Sequence, residues 1–377
     1  MVGASLQVAA EAEGWVLRVA TLVVATRGDA ALGESLRALG SGAFTQEVDD
    51  AVQRGDADVA VHSLKDAPPS APHGLVLAAC LAREDVRDAV VLAAGHACLG
   101  DLPAGSKVGT SSMRRRAQLL SSYPSLEVVP LRGSVQARVA ALEAGELSAT
   151  VVALAGLKRL GQKHIAGQVL GTHDMLPAAC QGTIGVMCRE GDTRTRRLLA
   201  CVCHMPTLLE VTAERACLRA LMGTASVMPP VAVAALATAR LHHGGDDGTG
   251  GRPATDTAAT DGATAAAAAA AAPPTPAAVV AEAEAAEAEA QAQAAASTAG
   301  AEPCPSPSSH LDLEFDCLIA SPDGRFLHRR TGSCRCDVSG SSGGGTEEEQ
   351  QLAAAGALGE RYGRALAEAA RAQPEPT

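Results

Sequence analysis

The chain has 377 residues, 47% of them hydrophobic, and a formal charge of −11, which is length and apolar content enough for two or three domains around a sizeable core. Aromatic residues make up only 2%, so stacking platforms for nucleic-acid bases or sugar rings are hard to build, and the acidic balance argues against a polyanionic partner. No apolar run reaches the roughly 18 to 20 residues of a membrane span, and the cysteines lack the short even spacing of a secreted disulfide framework, which reads as reduced thiols in an intracellular compartment.

The first twenty residues set Glu11 and Glu13 against Arg18, which fits neither a signal peptide nor an Arg-rich, acid-poor transit peptide. Strand-like runs follow at LVVAT (22–26), DVAVHS (58–63), LEVVPL (126–131) and TVVALA (150–155). Between them lie the helical stretches GAFTQEVDDAVQRG and RGSVQARVAALEAGE. The alternation predicts α/β layers with parallel sheets, their sites at strand C-termini. Residues 18–85 with 182–200 form one such unit and 88–178 a second. From 241 to 309 the chain is low in complexity, with a long alanine run and nine acids against Arg252 alone, and reads as a disordered insertion. HLDLEFDCLIASPDGRFLHRRTG then predicts two strands joined by a Pro-Asp-Gly turn, and EEEQQLAAAGALGERYGRALAEAARA an amphipathic helix. Residues 205–240 and 310–372 are expected to make a small α+β third domain.

Between Ser106 and Arg138 the charge reverses: Lys107, Arg114, Arg115, Arg116, Arg132 and Arg138 face Glu127 alone. In GTSSMRRRAQLL, Thr110, Ser111 and Ser112 stand between a strand and a helix, where hydroxyls cap the helix and exposed N–H groups bind anions. Arginines converging beside a helix N-terminus suit a ligand with several carboxylates, since each guanidinium grips one bidentately. In VHSLKDAP, Lys65 and Asp66 stand side by side after a strand. Asp66 near those arginines is expected to stay ionised and to steady a developing cation. Cys201-x-Cys203-His204 and Cys334-x-Cys336 lack the spacer of a zinc site, so no metal is expected.

VHSLKDAP, REDVRDAVV, GTSSMRRRAQLL, LRGSVQARV, AGLKRLG, LPAACQGTIGVMCRE and VTAERACLRAL, in this order, together resemble the porphobilinogen deaminase (hydroxymethylbilane synthase) family. The resemblance implies an α/β fold of two periplasmic-binding-protein-like domains around a cleft, plus the small α+β domain carrying a covalent dipyrromethane cofactor. Four porphobilinogen units are joined in turn to that cofactor with loss of ammonia, and the linear tetrapyrrole is released by hydrolysis. By resemblance Asp66 is the catalytic aspartate. Ser63, Lys65, Thr110, Ser111, Ser112, Arg114, Arg115, Arg132, Gly133, Arg138, Arg159, Gln181 and Gly182 bind substrate and cofactor. The implied protein is a monomer that takes porphobilinogen as substrate and uses neither nucleic acid nor membrane. Its expected home is the chloroplast stroma, with the cytoplasm as alternative.

Two departures accompany the likeness. The family's cofactor-attachment cysteine falls here on Ala225 or Ser226, neither of which forms the thioether, so a catalytically inactive homologue binding porphobilinogen-like polycarboxylates is the alternative function. Cys217 reads as a buried core thiol, and Cys180, beside Gln181, is the other thiol to test. VVATRGDAALGESLRALGSGAFTQEV aligns with a later part of the family's first domain, so that domain is expected to lack its first β-α unit.

Overall fold

The computed structural model describes residues 1–31, 42–222, 232–242, 310–337 and 346–371. Ala225, Ser226 and the low-complexity stretch from residue 243 to 309 lie outside the described residues.

Three sheets organise the chain. In the first, β1 (Val59–Ser63), β8 (Ile184–Arg189) and β2 (Leu75–Cys80) pair antiparallel in the order β1-β8-β2. VAVHS alternates as a half-buried strand must: Ala60 and His62 point inward and Val61 outward. Helix α3 (Gln46–Arg54) covers one face, with Val52 packed on Ala60, Leu75 and Met187. It stops at Gly55, whose φ of 85° supplies the left-handed turn of a helix end. On the other face Leu199 of α7 (Thr193–Ala200) and Leu6 of α1 (Val2–Ala12) pack against Ala79, Val186 and Cys188.

The second sheet has the order β5-β4-β6-β3-β7, from Glu127–Val129, Lys107–Gly109, Ala149–Ala153, Asp88–Leu92 and Gln168–Val169. Its central strands are apolar in succession because both faces are covered. Val90, Val108, Val128 and Val151 meet Leu119 of α4 (Met113–Ser122) on one side. Ala89, Val91 and Val152 meet Leu142 of α5 (Val135–Glu143) and Leu157 of α6 (Leu154–Arg159) on the other.

The third sheet runs β11-β10-β9 (Leu327–Asp337, His310–Ala320, Ala232–His242), antiparallel throughout, with eleven residue pairs in each ladder. Phe315, Leu313 and Ile319 pack with Leu209 and Val211 of α8 (Met205–Met222) and Leu358 and Leu366 of α9 (Glu347–Arg371). The two helices lie backbone against backbone: a Cβ at Gly359 would stand 1.9 Å from the Ala213 carbonyl oxygen. The opposite face meets α4, where Ala117 packs with Ala232, Ala234, Leu318 and Ala320.

Two expectations are corrected. LVVAT is not a strand: residues 16–25 make no hydrogen bond among the described residues, Val16 and Val23 are 97% and 88% exposed, and the chain reaches α2 (Arg27–Ala30) without regular structure. β propensity without a hydrogen-bonding partner does not make a strand. Nor are the sheets parallel. The first is wholly antiparallel, and in the second only β4 runs parallel to its neighbours β5 and β6. The chain passes from β2 directly to β3, and returns to β8, without a crossover helix, and parallel order requires one.

Candidate functional site

The LKD turn is a single turn of 3₁₀ helix, Leu64–Asp66, held at its start by burial. Leu64 is 1% exposed, its N–H donates to the Thr183 carbonyl at 3.1 Å, and its own carbonyl accepts from Ala67 N at 3.2 Å. Lys65 and Asp66 therefore project from a fixed point. Both side chains are exposed to solvent, with protein packed around their bases. Loss of bulk hydration accordingly lowers the Lys65 pKa, with Arg115 and Arg114 adding to the effect and Asp66 and Asp88 opposing it. The same desolvation raises the Asp66 pKa, against the pull of Lys65 and Arg115. Asp66 was expected to be held ionised by its cationic surroundings. The net shift runs the other way, because hydration lost to the crowding protein outweighs two cations that are themselves partly neutralised.

That neutralisation comes from Asp88, at the start of β3. Its carboxylate is fully buried and pairs with Arg115 Nη2 at 2.7 Å and Arg114 Nη2 at 2.8 Å. Burial opposes its charge, yet the two guanidiniums win and hold its carboxyl well below the usual range. Arg115 also donates to the Val151 carbonyl and Arg114 to that of Leu176, at 2.9 and 2.8 Å. Arg114 and Arg115 are thus 5% and 7% exposed and tied into the frame, not freely extended toward solvent. One N–H of each, at Nε, is buried without a partner. Upstream, Thr110 Oγ1 accepts from Ser112 N at 3.2 Å and Ser112 Oγ caps α4 by accepting from Arg115 N at 3.4 Å, with Ser111 half-buried between them. Ser63 ends β1 immediately before the LKD turn.

After β5, Gly133 takes a φ of 104° and turns the chain into α5. This bend lets Arg138 Nε donate to the Gly133 carbonyl at 3.1 Å, half-buried, with burial and then the charge of Arg115 lowering its pKa. Arg132 Nη1 donates to the Ala31 carbonyl at 2.9 Å, joining the second-sheet unit to the segment before residue 32. Arg159, at the end of α6, is exposed and has no ion pair or hydrogen bond among the described residues.

Gln181 belongs to the same frame. It is 1% exposed, and its Nε2 donates to the Val86 carbonyl at 2.7 Å and to Asp88 at 3.0 Å, stitching together the two segments that cross between the first and second sheets. Gly182 has a φ of 85° and sits against the other crossing segment, so that a Cβ would fall 2.3 Å from the Glu84 carbonyl oxygen. Beside it Arg83 Nη1 and Nη2 donate to Glu214 at 2.7 and 3.1 Å, and Nη1 to Glu210 at 3.2 Å. Glu214 on α8 is fully buried and also accepts from the backbone N–H of Cys180 and, at 2.7 Å, of Ala237. Burial disfavours the Arg83 charge, but Glu214 and Glu210 outweigh it. Cys180 itself is 1% exposed and its thiol is pushed up to about 12, by burial first and Glu214 second, so it is no ready nucleophile. Cys217 is 0% exposed, in the core as expected.

Asp88, Arg83 and Glu214 were missed as site residues. Each stood inside a quoted motif, and the available signal was an acid or a base inside an otherwise apolar run: DAVV for Asp88, TAERACL for Glu214. Among the described residues no group of three or more His, Cys, Asp or Glu is placed to hold a metal ion. No described helix is long and apolar enough to cross a membrane.

Compared with known proteins, residues 1–197 match the family described as "Porphobilinogen deaminase, dipyromethane cofactor binding domain". A chloroplastic porphobilinogen deaminase of Oryza sativa subsp. japonica is 46% identical over 206 residues, covering 54% of this chain and 57% of that protein. A porphobilinogen deaminase of Paracoccus denitrificans is 47% identical over 212 residues, covering 56% and 67%. The match thus spans between about half and two thirds of these relatives' own length. Among solved structures, a lipoprotein of Enterococcus faecalis aligns at 16% identity with a TM-score of 0.33, covering 52% of this chain and 82% of that one.

Proposed function

Because the chain belongs to the porphobilinogen deaminase family, we propose that it is a hydroxymethylbilane synthase, joining four porphobilinogen units head to tail with release of ammonia. The observation that carries this reading is the Asp88 clamp, which fixes Arg114 and Arg115 at the start of α4, with the charge of Arg115 bearing on both Lys65 and Asp66.

Each porphobilinogen brings an acetate and a propionate, so the growing chain gathers carboxylates. The exposed Lys65 and Arg159 and the half-buried Arg138 are the side chains we assign to them, with Arg132, Ser111, Ser112 and the N–H groups opening α4 beside them. The unpartnered Nε–H groups of Arg114 and Arg115 fit the dipyrromethane cofactor, whose carboxylates are acceptors of the kind these donors lack. When bound, that group supplies the pyrrole carbon to which the first substrate is joined. Asp66, as the carboxylate, accepts pyrrole N–H hydrogen bonds and stabilises the positive charge that develops as ammonia departs.

Two measurements test the reading. Denaturing mass spectrometry of the purified protein should give the chain mass plus a dipyrromethane, and ammonia should be released from porphobilinogen. A bare chain that releases none sinks the assignment. Asp66→Asn should lower kcat by about 10²-fold or more while KM changes little, as for a group acting chiefly in the transition state. We further propose a plastid location, supported by the chloroplastic rice and pea relatives and by alanine-rich composition. A fluorescent fusion of the full-length gene product should light plastids, and diffuse cytosolic signal overturns this.

A further inference from the structure

His62 and Asp49 form a buried pair that the proposed reaction does not use. His62 Nε2 lies 2.7 Å from Asp49 Oδ1, and both side chains are 3% exposed. Asp49 projects from α3 and His62 from β1, three residues before Lys65. The pair therefore pins the end of that strand to the helix above it. A second anchor acts downstream: Arg219 of α8 donates from Nη1 to the Pro69 carbonyl at 3.0 Å, three residues after Asp66. Arg215, one turn earlier on α8, is 5% exposed and feels the Asp49 charge, and its Nη1 has no partner. The segment from His62 to Pro69 is thus held at both ends by buried or charge-assisted contacts from two different helices, with Leu64 fixed in the core between them.

We propose that His62 and Asp49 are positioning residues for the Lys65–Asp66 turn, setting where that dyad stands relative to Arg115. The inference rests on the site reading above but not on turnover. A displaced Lys65 would lose the crowding protein and the nearby Arg115 and Arg114 charges that lower its pKa, and the exposed Lys163 serves as the internal reference.

The test is the rate at which Lys65 reacts with an amine-selective acylating reagent at neutral pH, read by peptide mass mapping as a ratio to Lys163 in the full chain. In Asp49→Asn and His62→Phe the ratio should fall by about threefold or more, because a lysine whose pKa rises is less often neutral. His62→Gln, whose amide nitrogen can stand where Nε2 stood and still donate to Asp49, should keep the wild-type ratio. A general loosening of the fold would not be rescued in this way. An unchanged ratio in Asp49→Asn, or an equal fall in His62→Gln, overturns the proposal. Should His62→Phe fail to fold by circular dichroism, the Asp49→Asn and His62→Gln pair decides alone. A wild-type chain that releases no ammonia yet shows the expected ratios would reject the synthase reading and leave this inference standing.

Discussion

Asp88→Ala is expected to destabilise the chain by about 3–5 kcal/mol, the usual cost of leaving a buried charge without its partner. Here two charges are orphaned, since Arg114 and Arg115 both pair with that carboxylate and are 5% and 7% exposed. Chemical denaturation at neutral pH measures the loss, and a change below about 1 kcal/mol would show the pairs to be worth no more than surface ones. The variant should also weaken binding of polycarboxylates, because guanidiniums freed from Asp88 are no longer aimed. A pH signature goes with it. Asp88 has a folded pKa depressed below its unfolded value, so the stabilisation it gives is fully present above about pH 4 and is lost as pH falls below that toward the folded pKa. In Asp88→Asn that part of the acid sensitivity should vanish, which comparison of the two denaturation series at pH 3 and pH 6 reveals.

Glu214→Ala should cost a similar amount, again about 3–5 kcal/mol, by leaving Arg83 in the interior without its chief counterion. It removes more than an ion pair. The same carboxylate accepts the backbone N–H groups of Cys180, in the crossing segment, and Ala237, in β9. Hydrogen exchange at these two amides should therefore accelerate together, in parts of the chain with no other common partner of this kind. Unchanged protection at either amide would refute the shared role. A double-mutant cycle with Arg83→Met separates the terms: if the penalty is chiefly an unpaired cation, Arg83→Met with Glu214→Leu should recover much of what Glu214→Ala loses.

How far the sequence discloses this molecule depends on the range of the interaction. The β10–β11 hairpin was legible because its turn chemistry and alternation lie within one stretch, and Leu327–Asp337 pairs His310–Ala320 residue for residue. The strand before the LKD motif was legible for the same reason, since DVAVHS alternates within one short run. LVVAT was misread because a strand is half partner, and whether a neighbour is present cannot be seen in five residues. Arg114 and Arg115 stand in the first turn of α4, where the sequence placed them, but the internal contacts that each makes, to Asp88 and to a backbone carbonyl, could not be read from it. Asp88 lies 27 residues from Arg115 and Glu214 lies 131 from Arg83, separations over which composition carries no pairing information. Charge counting found the cationic field and overlooked the carboxylate that organises it.

The long β9–β10 ladder has a practical corollary. His242 and His310 are direct partners across it, while the opposite end of the hairpin, at Ala232 and Ala320, rests on α4. The chain thus leaves β9 and re-enters β10 at adjacent backbone, at the far end of the eleven-pair ladder from the helix that carries Arg114 and Arg115. Since closing a loop grows dearer only with the logarithm of its length, this tip is a permissive port where sequence can be gained, shed or swapped for a reporter while the first two sheets stay undisturbed.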